Sequence, residues 1–119
     1  MKIKRFEDID AWKEARTLTN LIYNLNKTDK ISRDFGLKDQ LQRAAVSIMA
    51  NVAEGFDSRS NKHFINFLSY AYRSASEVQS LIYVAKDQNY YSEKQFSEIY
   101  ALTEKVKGLI GGFIKYLKT

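Results

Sequence analysis

The chain has 119 residues and a formal net charge of +5, from nineteen Lys or Arg against fourteen Asp or Glu; this length accommodates one domain, residues 1–119, with no room for a second. Apolar residues make up 45% and charged residues 28%, which is enough to bury a core and excludes a disordered tail, while the absence of proline and the presence of only five glycines suit long helices and not a many-turned β fold. Zero Cys and one His exclude disulfide scaffolds, zinc fingers, thiol enzymes and multi-histidine metal sites, so no metal or cofactor is expected.

Charges occupy the N-terminus (Met1-Lys2-Ile3-Lys4-Arg5-Phe6-Glu7-Asp8) where a signal peptide has an apolar run, and the longest apolar stretch, Leu109 to Ile114, falls far short of the ~20 residues that span a bilayer. A soluble cytoplasmic protein with no membrane partner is expected. The first helix is predicted from about Ile9 to Asn26, with Trp12, Ala15, Leu18, Ile22 and Leu25 on one face and Asp8 as its N-cap. A polar connection, Asn26 to Gly36, holds Ile31 and Phe35. The second helix follows from about Leu37 to Phe56, carries Leu41, Ala44, Ala45, Ile48 and Val52, and is expected to stop near Gly55.

After a turn at Asp57 to Asn61, the third and longest helix runs to about Asp87, striped by Phe64, Phe67, Leu68, Ala71, Ala75, Val78, Leu81, Ile82 and Ala85. Ser92-Glu93-Lys94-Gln95 has the spacing of a capping box, in which the two polar side chains satisfy each other's backbone N–H groups. The fourth helix continues to about Leu117 on Phe96, Ile99, Leu102, Val106, Leu109, Ile110, Phe113 and Leu117. Four amphipathic helices with short connections predict an all-α, antiparallel, up-down-up-down four-helix bundle.

At about 100° per residue, Gln40, Arg43, Ser47, Asn51 and Glu54 of the second helix share an arc of about 80° beside the apolar stripe. A solvated face would be filled mainly with Lys and Glu; this one mixes an Arg, amides, a Ser and a Glu. Arg43 is therefore expected to contact Glu54 or Glu77, of its own or a neighbouring chain, with Asn51 and Ser74 completing the hydrogen bonds.

The string Leu37-x-x-Gln40-x-x-Arg43-Ala44-Ala45-x-Ser47-Ile48, then Asn51-Val52-Ala53-Glu54-Gly55, then Ser74-x-x-Glu77, resembles the 23S ribosomal RNA intervening-sequence proteins, also called the four-helix bundle protein family. Phe6-x-Asp8-Ile9-x-x-Trp12-x-x-Ala15 is similar to that family's N-terminal pattern, so the likeness spans nearly the whole chain. The family often has one proline in the connection before the second helix and another where Met49 stands here, and this chain has neither. The resemblance implies a left-handed bundle that assembles as a ring-shaped homopentamer without known catalytic activity. It also implies a likeness in fold to the accessory proteins of diversity-generating retroelements, basic pentamers that bind nucleic acid and a reverse transcriptase.

Catalysis finds little support in the residues. His63 stands beside Lys62 at a helix start, with Asp57 and Ser60 near but no partner set for acid–base work, and Glu54 and Glu77 suit ion pairing or capping better than a carboxylate dyad. A hydrolase or nuclease would need clustered acidic metal ligands, which the sequence lacks. Gly108, Gly111 and Gly112 lie within the fourth helix, where each costs up to ~1 kcal/mol against alanine; they mark either close approach of a neighbouring helix or subunit, or an unwound last turn. Eight tyrosines and Trp12 exceed what a narrow bundle core hides, so Tyr70, Tyr72, Tyr83 and Tyr100 are expected to contribute to an intersubunit surface.

The positive charge is terminal. Lys2, Lys4 and Arg5 at one end of the sequence and Lys105, Lys107, Lys115 and Lys118 at the other stand in stretches without an acid, and the remaining residues hold twelve basic and fourteen acidic groups. In an up-down-up-down bundle both termini and the turn bearing Arg59 and Lys62 meet at one end. Lys2, Lys4, Arg5, Arg59, Lys62, Lys115 and Lys118 are thus the candidate contacts to RNA or DNA, although Glu7, Asp8, Asp10 and Asp57 share that end. Two readings follow: an oligomeric scaffold associated with nucleic acid, or an oligomeric adaptor for another protein with no nucleic-acid affinity.

Overall fold

Apolar residues recurring every three or four positions produce four helices in the computed structural model, which describes residues 3–119. They are α1 (Asp10–Asn26), α2 (Phe35–Asp57), α3 (Asn61–Asp87) and α4 (Glu93–Leu117), with single 3-10 turns at Phe6–Asp8 and Lys30–Arg33. No strand occurs among the described residues. Packing runs from α1 to α2, α2 to α3, α3 to α4 and back from α4 to α1, in a rod of 45 × 21 × 19 Å. Sequential helices are neighbours, and α2 and α4 occupy opposite corners. This is the all-α up-down-up-down bundle that the periodicity predicts.

The core is the set of facing stripes. Leu18, Ile22, Leu41, Ile48, Val52, Leu68, Val78, Ile82, Ile99, Val106 and Ile110 are fully buried, each worth roughly 1.5–3 kcal/mol of transfer free energy. Alanines fill the narrow levels: Ala15, Ala45, Ala71, Ala75 and Ala85 have no exposed surface. Polar atoms that enter the core are bonded. Thr19 Oγ1 donates to Ala15 O at 2.8 Å and lies 3.3 Å from Ala45 O on α2, and Thr103 Oγ1 returns to Ile99 O at 2.7 Å.

The helix boundaries correct three expectations. Asp8 does not cap α1, because it closes the Phe6–Asp8 turn; Ile9 takes the N-cap position with no side-chain bond and is instead buried, so burial and not capping fixes the chain's entry. Asp34 Oδ1 accepts from Leu37 N at 3.2 Å, which starts α2 two residues before the apolar stripe begins. Gly55 does not end α2, since the helix runs on to Asp57. A Cβ at Gly55 would stand 2.7 Å from the Phe64 ring and 2.8 Å from Phe67 Cβ, so this glycine lets the start of α3 pack against α2 without a side chain between them. The capping box at Ser92 and Gln95 forms as expected, with bonds of 3.1 and 2.9 Å.

At the end of the rod away from the termini, side chains tie the connections together. Asn26, the last residue of α1, is buried and its Oδ1 accepts from the Tyr91 hydroxyl at 2.6 Å. Tyr90 donates to Asp34 Oδ2 at 3.0 Å. The α2 cap is thereby bound to the α3–α4 turn.

Candidate nucleic-acid interface

The other end of the rod gathers the start of α1, the end of α2, the start of α3 and the end of α4. Phe64 near the start of α3 lies 5.1 Å, centroid to centroid, from Phe113 near the end of α4. The Phe6–Asp8 turn packs on α1 and α2, with Phe6 edge-on to Trp12 at 5.2 Å. The α2–α3 connection is only three residues long and closes through Arg59 at φ 59°, a left-handed conformation uncommon for a side-chain-bearing residue. Ser58 Oγ donates to Gly55 O at 2.6 Å, and Ser60 Oγ accepts from His63 N at 3.4 Å to cap α3. His63 itself is exposed, and its side chain takes part in no hydrogen bond among the described residues.

Lys4, Arg5, Arg59, Lys62, Lys115 and Lys118 are all exposed around this end, as the charge count requires; Lys2 lies outside the described residues. Arg5 is engaged by Glu7 at 3.0 Å. Among the described residues, the other five have no acidic partner within ion-pair distance. Acids moderate the field: Asp8, Asp10 and Asp57 are exposed at the same end, and Asp10 reaches Lys13 at 4.0 Å. An open apolar concavity of about 770 Å³ lies beside them, where Ile3 and Ala11 face Leu109, Gly112, Phe113 and Tyr116.

The polar seam on α2 divides in two. Ser47 Oγ and Ser74 Oγ are 2.9 Å apart across the α2–α3 contact, and Asn51 Nδ2 donates back to Ser47 O at 2.8 Å and Ser47 Oγ at 3.0 Å. Those three residues form one half-buried cluster. Arg43 does not join it, nor does it contact Glu54 or Glu77 within the chain. Its guanidinium pairs with Asp39, one turn back on α2, at 2.9 Å, with the Arg side chain 80% exposed. The reason is rotational: Arg43 sits about 40° from Asp39 on the wheel and points outward, whereas Ser47 and Asn51 turn towards α3. Gln40, Glu54 and Glu77 are likewise exposed. An exposed i,i+4 pair contributes about 0.3–0.5 kcal/mol, so Arg43→Ala should shift the urea-denaturation free energy of the subunit by less than about 1 kcal/mol.

Sequence reasoning missed a second polar cluster, on the α3–α4 seam. Gln79, almost buried, donates from Nε2 to Glu104 Oε1 at 2.8 Å and accepts from Lys107 Nζ at 3.1 Å. Lys107 also lies 4.9 Å above the Tyr72 ring. The signal was available: Gln79 stands four residues after Ala75 and three before Ile82, inside the apolar register of α3. Nearby, Tyr83, Phe96 and Tyr100 form an aromatic cluster with centroids 4.8–6.2 Å apart, capped by Lys86 4.6 Å from Phe96. Tyr70, Tyr72 and Tyr83 are 48%, 39% and 49% exposed, beyond what the subunit core needs.

The glycines of α4 are neither cause nor symptom of unwinding, since the helix continues through them to Leu117. Among the described residues, nothing lies within 4 Å of a Cβ built at Gly108, Gly111 or Gly112, so no described helix touches α4 there. Among the described residues, no three His, Cys, Asp or Glu side chains cluster as metal ligands, and no helix is long and apolar enough to cross a membrane.

Comparison with known proteins relates the chain to a sequence family and to a solved structure. The sequence pattern of the family described as 23S rRNA-intervening sequence protein matches residues 7–112. The chain is also similar to a crystal structure of a protein of unknown function from the S23 ribosomal protein family of Bacteroides thetaiotaomicron, with a TM-score of 0.82 and 23% identity over 88% of this chain and 95% of that one. No curated protein matches the chain. No catalytic family is indicated.

Proposed function

Because the chain belongs to the 23S rRNA-intervening sequence protein family, we propose that it is a non-enzymatic oligomeric scaffold that associates with RNA or DNA through the basic end of its bundle. One observation carries the reading: Lys4, Arg59, Lys62, Lys115 and Lys118 converge on one end of the rod without acidic partners among the described residues. Cations already paired within a fold gain little from a phosphate, whereas unpaired ones release condensed counterions when they neutralise one. Arg5 adds to the same end in this reading and must leave Glu7 to do so; Lys2, outside the described residues, is counted with them from its place in the sequence.

Assembly multiplies the effect. The resemblance implies a homopentamer, and the exposed Tyr70, Tyr72 and Tyr83 supply apolar area for subunit contacts. Light scattering at micromolar concentration should therefore report a mass well above the 13.8 kDa of one chain. Around a ring, each copy presents the same basic end, so modest site affinities combine by effective concentration.

The test compares wild type with a variant carrying Lys2, Lys4, Arg5, Arg59, Lys62, Lys115 and Lys118 all changed to Gln, by RNA and DNA binding at low salt. Tenfold or greater weakening in the variant, with helix content and oligomeric mass unchanged, is the expected result. No binding by the wild type would leave the adaptor reading, in which the oligomer serves another protein alone.

A further inference from the structure

We infer that the concavity beside Trp12 on the outer side of α1 stacks an unpaired base of a single-stranded nucleic acid, with Arg5, Lys13 and Arg16 taking the adjoining phosphates. This rests on the nucleic-acid reading above and adds base contact to the phosphate contacts of the basic end. Trp12 shares the apolar periodicity of α1, yet the structure leaves it half-buried against the core. On the helical wheel it borders the arc of Ala11, Ala15, Leu18 and Ile22, while Lys13, Arg16 and Asn20 turn away from that arc. Part of the indole therefore packs on the body, and part lines an open concavity of about 550 Å³ with Arg5, Glu7, Lys13, Arg16 and Asn20. That volume lies within the ~300–1,000 Å³ of small-molecule sites.

The indole is held in place without being sealed. Phe6 packs against it in a T-shaped pair, centroids 5.2 Å apart, which fixes its orientation. Arg16 Cζ stands 5.8 Å from the ring centroid, near the ~6 Å limit of a cation–π contact, whereas Arg73, Lys86 and Lys107 approach their own rings to 4.8, 4.6 and 4.9 Å. Arg16 thus has the slack to swing off the indole and close over a guest. A guanidinium is planar and stacks on a base as readily as on an aromatic side chain, so indole and guanidinium can take the two faces of one base. Such stacking tolerates any base, because each has a π face.

Charge selects the same guest. Arg5, Lys13 and Arg16 outnumber Glu7 around the concavity, and Arg16 has no acidic partner within ion-pair distance among the described residues. Arg5 pairs with Glu7 at 3.0 Å and Lys13 with Asp10 at 4.0 Å, in both cases with the basic side chain more than half exposed. Exposed pairs of this kind contribute little, so a phosphate can displace the acid. Arg5 also belongs to the basic end, and a strand crossing that end reaches Trp12 without leaving positive surface. The Tyr83, Phe96 and Tyr100 cluster differs, because its Lys86 is held by Glu93 at 3.0 Å. A duplex keeps its bases stacked on one another, so only a single strand can offer one to the indole.

Trp12 is the only tryptophan, so its emission, excited at wavelengths that nucleotides do not absorb, reports this site alone. Titrating the full chain at low salt with a short oligouridylate should quench Trp12 over the concentration range in which a labelled copy of the same strand gains anisotropy. A poly(A)·poly(U) duplex and inorganic polyphosphate, which offer phosphate without a free base, should bind without quenching. Trp12→Leu should weaken oligouridylate binding about fivefold or more while keeping its affinity for polyphosphate, a combination that a folding defect would not give. Arg16→Gln, at an exposed position, should weaken it several-fold. Anisotropy gained without quenching, or equal quenching by polyphosphate, would overturn the site and leave the basic-end reading standing. No binding by any of the three probes removes both.

Discussion

Gly55→Val should destabilise the subunit by about 3 kcal/mol, towards the upper end of what inserting methyl groups into a packed interior costs. The Cβ alone would meet the Phe64 ring at 2.7 Å and Phe67 Cβ at 2.8 Å. Neither neighbour has space to retreat: Phe64 is almost buried and packs on Phe56 and Phe113, and Phe67 Cβ moves only with the α3 backbone. Branching at Cβ adds further overlap, and valine's gain in helix propensity over glycine, about a few tenths of a kcal/mol, does not offset it. Gly111→Ala is the control, because open space surrounds that position and alanine's propensity advantage over glycine should appear there as a stabilisation of up to ~1 kcal/mol. Chemical denaturation of the two variants reads both signs.

The second large effect lies at the opposite end of the rod. Asn26 and Tyr91 are 1% and 3% exposed and bonded to each other at 2.6 Å, so removing either partner strands a buried polar atom. Asn26→Leu and Tyr91→Phe should each cost about 1–3 kcal/mol, while the double variant should cost clearly less than their sum, since no orphan remains. Titration gives a separate signature. Burial pushes the Tyr91 hydroxyl above the ordinary phenol value, and the hydrogen bond to Asp34, followed by burial and the Asp34 charge, raises Tyr90 as well. The folded state therefore holds protons that the unfolded chain releases near pH 10, so this stability is complete below pH 10 and is lost as pH rises beyond it. Melting temperatures should fall above pH 10, and less steeply in Tyr91→Phe.

The fold was readable because every helix shows its period, and the capping box at Ser92 and Gln95 follows from spacing alone. What the sequence hid was context. Gly55 looks like punctuation until the two phenylalanines of α3 are placed against it, and Asp8 looks like a cap until Ile9 is seen to be buried. For the polar seam, a wheel places residues beside a stripe without saying how far the neighbouring helix extends over them. Ser47 meets Ser74 of α3 and Asn51 bonds back to Ser47, whereas Arg43 turns to Asp39 on its own helix. Gln79 was passed over because an amide in an apolar register draws no attention until Glu104 and Lys107 are found on either side of it.

The basic end was readable from arithmetic and topology together, since terminal charge in an even-numbered up-and-down bundle must collect at one end. Its meaning rests on binding. The most direct measurement is the affinity of the wild-type oligomer for a single-stranded RNA across a range of salt concentrations. If the five unpaired cations of each copy engage phosphates, log K should fall linearly with log salt at a slope of about −3.5 per bound copy, and the seven-Gln variant should lose most of that slope. Binding that ignores salt, or no binding at the lowest salt at which the protein stays soluble, would contradict the account.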